Sequence, residues 1–261
     1  MKVITITKKG LLMIFACVLI GAIMLTITTS TASQAIQTAS AERLIPIYYV
    51  DTTEKVCSIS FDAAWGNEQT KTLLDILDEH KVKTTFFLVG DWVEKYPESV
   101  KEISKRGHDV GNHSDTHAHM TQISLSEQKT EIENCNQKIE SLINKPVTLF
   151  RPPYGEYDNS VVEVCNGLDM YCTQWNIDSL DWKDPSASQI TKNITSKIKN
   201  GSIILLHNGA TNTPEALPMV IEAIQKEGYE IVPISQILLK GDYYTDVEGK
   251  MCPRENTTTA T

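Results

Sequence analysis

A chain of 261 residues, 41% apolar and 22% charged, has room for one sizeable domain plus a leader. Its formal charge is −9. Lys2, Lys8 and Lys9 are the only charges before residue 42, so the remainder carries −12. That acidic balance excludes the basic stripe expected of a nucleic-acid binder, though it does not identify a substrate.

Residues 1–41 predict a signal peptide or membrane anchor. Lys8 and Lys9 precede an apolar run from Gly10 to Ile27, and small residues follow, with Ser33-Gln34-Ala35 and Ala39-Ser40-Ala41 as candidate cleavage sites. The run also approaches the length needed to span a bilayer, so secretion and anchoring both stay open. The lysines sit before the run, which places the body outside the cytoplasm in either case.

Beyond the leader, apolar strand-like runs alternate with helical patterns. Strands are predicted near 56–62, 84–89, 108–112, 148–151, 170–175, 202–206 and 230–234. Helices are predicted over 68–80, 100–105, 126–143, 160–166, 187–198 and 214–227. Leu73, Leu74 and Leu77 share one face of the first helix. Ser124 followed by Glu127 has the spacing of a capping box for the third. Gly107, Gly167 and Gly228 stand where helices should end. Strict alternation implies a parallel sheet with helices outside, so the fold class is α/β, either a barrel or an open sheet. No glycine-rich phosphate loop follows the first strand, where Gly66 is alone. Residues 42–240 form the expected domain, and 241–261 read as a polar tail with little core of its own. The five cysteines past the leader, Cys57, Cys135, Cys165, Cys172 and Cys252, are odd in number and contain no CxxC pair. Buried free thiols are the preferred reading, with a Cys165–Cys172 bridge left open.

The residues able to do chemistry fall on one end of this map. Asp62 ends the first strand, His113 and His117 follow the third, and Arg151 ends the fourth. Asp178 and Asp181 follow the fifth, and His207 follows the sixth. All lie at C-terminal strand ends, the face where a parallel α/β barrel gathers catalytic groups. His113 and His117 are four residues apart, so on a helical turn both imidazoles could face one cation. No glutamate follows His113, which rules out the zinc-protease helix. A carboxylate can take a proton from water, a histidine can give one to a leaving amine, and a bound cation can polarise a carbonyl. Together these groups suit metal-assisted amide or ester hydrolysis.

Five motifs in order then carry a resemblance. They are Ser60-Phe61-Asp62, His113-Ser114-Asp115-Thr116-His117, Arg151-Pro152-Pro153-Tyr154-Gly155, Asp178-Ser179-Leu180-Asp181-Trp182 and Leu205-Leu206-His207. From about Lys55 to Leu239 the chain resembles the NodB-homology polysaccharide deacetylases, carbohydrate esterase family 4. The run Phe61-Asp62-Ala63-Ala64-Trp65-Gly66 looks most like the spore-associated peptidoglycan deacetylase branch. The resemblance implies a distorted, incomplete (β/α) barrel of about seven strands. It implies Asp62 as base paired with Arg151, His207 as general acid paired with Asp181, and His113 and His117 as metal ligands. It further implies that the Tyr154 N–H supports the oxyanion and that Trp182 and Leu205 wall the acetyl methyl. The implied cofactor is a divalent metal such as zinc, and the implied partner is an N-acetylated cell-wall glycan. The chain departs from the pattern at Ala63, where the family places a second, metal-binding aspartate. The site therefore keeps two neutral imidazoles and loses its anionic ligand. Water could fill the vacancy, Asp115 or His119 could move in, or the site could lose its metal and leave a glycan-binding pseudoenzyme.

Overall fold

The computed structural model describes residues Arg43–Arg254. The predicted leader and residues 255–261 lie outside the described residues. Among the described residues, no helix is long and apolar enough to cross a membrane.

In chain order the strands and helices are β1 (Tyr49–Val50), β2 (Val56–Ala63), α1 (Thr70–Glu79), β3 (Thr85–Leu88), α2 (Gly90–Lys95), α3 (Pro97–Lys105) and β4 (Asp109–Asn112). Next come α4 (Leu125–Ile143), β5 (Leu149–Phe150), α5 (Asn159–Gly167), β6 (Tyr171–Cys172), β7 (Ile177–Asp178) and α6 (Ala187–Thr195). The series ends with β8 (Ser202–His207), α7 (Thr213–Lys226), β9 (Glu230–Ile231), α8 (Ile234–Ile237), β10 (Tyr243–Thr245) and β11 (Lys250–Pro253). The sheet runs β10-β11-β1-β8-β2-β3-β4-β5-β6, with β7 also on β8 and β9 also on β2. From β8 to β6 every pairing is parallel. An isolated parallel bridge joins Ile47, just before β1, to Thr173, just after the end strand β6, without a continuous ladder. The result is the distorted, incomplete barrel expected, with all seven predicted strands in place and four more besides.

The strand period of two sorts the core. In β2, Cys57, Ile59, Phe61 and Ala63 join one apolar cluster with Leu73 and Leu77 of α1 and Ile132 of α4. The intervening Ser58, Ser60 and Asp62 are buried polar groups. Ser58 and Ser60 donate to the Val232 and Ile204 carbonyls, which satisfies their hydroxyls. A second apolar cluster joins Phe87, Leu149, Ile203, Ile237 and Met251. Burying a leucine such as Leu73 or Leu77 contributes about 2 kcal/mol each. The capping box at Ser124 and Glu127 forms as expected and starts α4. Gly107 and Gly228 take left-handed φ values beyond their helices, but Gly167 does not; Asp169 takes that conformation instead.

The polar-tail reading of 241–261 is corrected over the part described. β10 and β11 form an antiparallel hairpin, and β11 pairs in parallel with β1. Met251 and Cys252 are buried. A hairpin whose partner strand lies about 200 residues away leaves no local signal beyond its own short alternation. The five cysteines are buried and free, including Cys165 and Cys172.

Candidate active site

Strand ends bring the predicted residues together. Asp62 of β2 pairs in register with His207 of β8. Asp62, His113, His117, Tyr154, Trp182, Leu205 and His207 line one cleft of about 380 Å³, together with Trp65, Trp175 and Asp178. Arg151 and Asp181 lie wholly buried behind it.

Arg151 donates to Asp62 Oδ1 at 2.7 Å and to the Gln174 carbonyl at 3.0 Å. Its guanidinium lies 4.0 Å from the centre of the Phe87 ring. Burial pushes the Asp62 carboxyl upward, but the Arg151 charge, helped by His113, His207 and the Arg151 hydrogen bond, holds it below its ordinary value. Burial also works against the charge on Arg151. A guanidinium nevertheless keeps its proton in proteins, so the pair is ionic.

The second pair is as closely held. Asp181 accepts from the His207 backbone N–H at 2.8 Å and from Thr213 Oγ1 at 2.7 Å. Its other oxygen lies 2.7 Å from His207 Nδ1. With Nδ1–H given to Asp181, Nε2 is the ring nitrogen left for a substrate. Burial lowers the His207 pKa, but the Asp181 hydrogen bond and charge, with Asp62 and Asp178, more than reverse this and raise it. His207 is thereby kept ready to donate a proton.

The histidine motif differs from its predicted shape. Residues 113–119 form an irregular loop, not a helical turn, with Ser114 and His117 at left-handed φ values. The two rings still meet, 5.0 Å apart and edge to face. Helix α4 pins the loop: Glu131 accepts from the Asp115 and Thr116 backbone N–H groups at 2.9 and 2.8 Å. Lys138 of the same helix holds Asp115 at 2.6 Å. At Gly90 a Cβ would fall 2.0 Å from Asp115 Oδ1, so the approach of α2 to this loop requires glycine. His113 Nδ1 lies 2.7 Å from the Arg151 carbonyl, an acceptor that fixes the proton on Nδ1 and leaves Nε2 as a lone pair. That nitrogen stands 3.5 Å from Asp62 Oδ2. Burial lowers the His113 pKa, and burial followed by His113 lowers that of His117 to about 4, so both rings are neutral at pH 7.

The divalent cation that the resemblance implies would have to draw its ligands from these donors. Two neutral imidazoles are suited to it, but catalytic zinc takes three protein ligands. Ala63 supplies none and packs in the apolar cluster with Ile59 and Phe61. Asp62 is engaged by Arg151. Neither replacement expected from the sequence is free to move in. Asp115 is held by Lys138, and His119 stacks on the Tyr154 ring at 4.2 Å and bonds Glu156 at 2.9 Å, while His117 meets that same ring. Among the described residues, no group of three His, Cys, Asp or Glu side chains is placed to hold a metal ion. The residues present do not complete the expected centre.

Tyr154 takes a left-handed φ of 60° between Pro153 and Gly155. A strained aromatic residue at such a position is characteristic of a functional turn. Trp65 and Trp175 were not singled out from the sequence as site residues. The only available signal for Trp65 was an aromatic side chain just past the strand that ends near Asp62.

The geometry agrees with what the chain is similar to. The polysaccharide deacetylase family model matches residues 49–173. The chain is 33% identical over 193 residues to the uncharacterized protein YlxY of Bacillus subtilis, covering 74% of this chain but 60% of that one. It is 31% identical over 194 residues to a peptidoglycan-N-acetylglucosamine deacetylase of Bacillus cereus, covering 72% of this chain and 91% of the relative. The solved structure of BA3943 from Bacillus anthracis, described as a CE4 family pseudoenzyme, superposes with a TM-score of 0.72 at 34% identity, over 74% of this chain and 68% of that one. A mutant of BA3943 with restored enzymatic activity superposes equally well. On sequence and fold together, this chain belongs to the polysaccharide deacetylase family.

Proposed function

We propose that the cleft takes an N-acetylated cell-wall glycan, most naturally peptidoglycan, and that its chemistry is hydrolysis of the acetamide. The observation that carries this is the pairing of two dyads at one strand register, Asp62 with Arg151 and His207 with Asp181, each at 2.7 Å. Asp62 takes a proton from a water that attacks the acetamide carbonyl. The Tyr154 N–H supports the resulting oxyanion, with Leu205 and Trp182 beside the acetyl methyl. His207 then protonates the departing amine, releasing acetate and a free amino sugar. Deacetylases of this family are metal-dependent in general, and a divalent cation would add carbonyl polarisation and a more acidic water. This chain lacks the anionic ligand for it, so Asp62, Tyr154 and His207 carry the steps above.

A second reading has its own observation. Ala63 stands where the anionic metal ligand belongs, and BA3943, at similar identity, is described as a pseudoenzyme. On that reading the cleft binds glycan with little or no turnover.

Export rests on Lys8, Lys9 and the run Gly10–Ile27, which support a secreted or membrane-anchored protein. Association with the spore cell wall is the finer placement, supported by the run Phe61–Gly66. The deciding experiment is acetate release from N-acetylated peptidoglycan and chitin oligomers, first with chelator and then with zinc, cobalt or manganese. Release under chelation supports the two-dyad chemistry. Release only with metal shows that His113 and His117 hold a working ion despite Ala63. Glycan binding without release establishes the pseudoenzyme.

A further inference from the structure

Trp65 is large, apolar and unusually bare for its position. It follows β2 by two residues and lines the cleft. Its indole lies 5.6 Å from the His207 imidazole, centre to centre, with the planes 24° apart. The residue is 49% exposed although His207 lies against one face of its ring. The backbone holds it there. A Cβ at Gly209 would fall 2.8 Å from Trp65 Cδ1 and Nε1, so the chain beyond His207 passes against the edge of the indole at a distance only glycine permits. The Gly66 carbonyl next along accepts from Trp92 Nε1 at 2.6 Å and from Asn208 Nδ2 at 3.3 Å. Gly66 itself has φ 66°. The loop that carries Trp65 is thus tied both to α2 and to the residue after His207.

Trp182 is likewise half-exposed, at 51%, with Lys183 Nζ 4.6 Å from its ring centre. The cleft is therefore lined by two half-exposed tryptophans, with Trp175 as a third in its wall. Pyranose rings present a face of C–H groups with partial positive charge, which suits the negative face of an aromatic ring.

We infer that Trp65 is a sugar-stacking platform: with His207 against one face of the indole, a hexosamine ring of the glycan lies on the other face, and this fixes which neighbouring sugar brings its acetamide to the general acid. This rests on the glycan reading of the cleft. Trp65 acts as a binding and positioning residue and makes or breaks no bond in the reaction.

Binding tests this without depending on turnover. The affinity of an N-acetylglucosamine tetramer is measured by calorimetry for the full chain and for Trp65→Ala and Trp65→Phe. Circular dichroism and a thermal melt establish that each variant is folded, as expected for a half-exposed side chain. Trp65→Ala should bind roughly tenfold or more weakly, the loss usual for truncating an aromatic anchor. Trp65→Phe, which keeps an aromatic face, should recover most of that affinity. If acetate release is measurable, KM should rise in Trp65→Ala by more than kcat falls. Wild-type affinity in a folded Trp65→Ala, or equal losses in the alanine and phenylalanine variants, overturns the platform and leaves the glycan reading standing. Absence of tetramer binding and of peptidoglycan binding in the wild type overturns both.

Discussion

Replacing Arg151 with methionine removes a fully buried cation and leaves Asp62 without its partner. The loss comprises the 2.7 Å bond to Asp62, the 3.0 Å bond to the Gln174 carbonyl and the packing over Phe87. Methionine restores some of that packing but none of the charge. Breaking one side of a buried ion pair costs about 3–5 kcal/mol, chiefly because the other charge stays buried. At about 2–4 °C per kcal/mol for a domain of this size, the melting point should fall by roughly 6–20 °C at pH 7. The pH dependence carries the sharper test. In the wild type the folded Asp62 pKa is lowered, so its contribution is present above its unfolded value near 4 and is lost as pH falls through the folded pKa. In Arg151→Met only burial and two histidines act on Asp62, and its folded pKa should rise above the unfolded value. Its contribution is then complete at low pH and lost as pH rises. The stability gap between the two proteins should therefore be widest near pH 7 and narrow toward pH 4. Urea unfolding at both pH values, read as midpoint and slope, measures it. A gap below 1 kcal/mol, or one independent of pH, would refute the ionic description of the pair.

Four further expectations follow from the site and the C-terminal hairpin. Asp62→Asn should lose most acetate release and, because it leaves the buried Arg151 charge unpaired, melt lower than wild type while remaining folded; wild-type rates in that variant would remove Asp62 from the mechanism. Asp181→Asn should lower the His207 pKa, visible by NMR titration of the imidazole. The raised His207 pKa stabilises the folded state fully below about pH 6.5 and fades as pH rises through the folded value, so this variant should differ most from wild type in mild acid. Ala63→Asp should melt lower than wild type in chelator and regain stability with zinc by mass action, whereas zinc should leave the wild-type melt almost unchanged; equal zinc responses would show that Ala63 does not govern the site. Met251→Ala, in the hairpin first read as a tail, should cost about 2–5 kcal/mol in a urea melt, and a negligible loss would mean that β11 adds little to the core.

The parts of this molecule that were legible from sequence are those whose signal is local or chemical. Leu73, Leu74 and Leu77 announce a helix face because helical spacing repeats within eleven residues. Asp62, His113, Arg151, Asp181 and His207 could be grouped because each follows an apolar run and each is a type that catalysis uses. The shape of the histidine loop was not legible, since Glu131 and Lys138, which bend it, lie on a helix whose contacts no spacing rule foresees. Two-residue strands such as β1 and β7 are too short to show a period at all. Trp65 escaped notice for a different reason: half-exposure and a ring contact to His207 are properties of three dimensions, and a tryptophan in sequence reads first as core.

The position of β1 between β8 and β11 has a consequence for how the chain reaches this state. Tyr49 pairs with Ser202 on one side and Lys250 on the other, so the first strand made has no partner until the chain is nearly complete. Ordering it early would close loops of some 150 to 200 residues, at an entropic cost that no neighbouring contact offsets. The central strands β2, β3 and β4 can assemble with their helices from contiguous sequence, while the edge around β1 must wait for the last. Refolding should accordingly show a late, slow step reported by Tyr49, Tyr243 and Met251, after the environment of Trp92 has already become native.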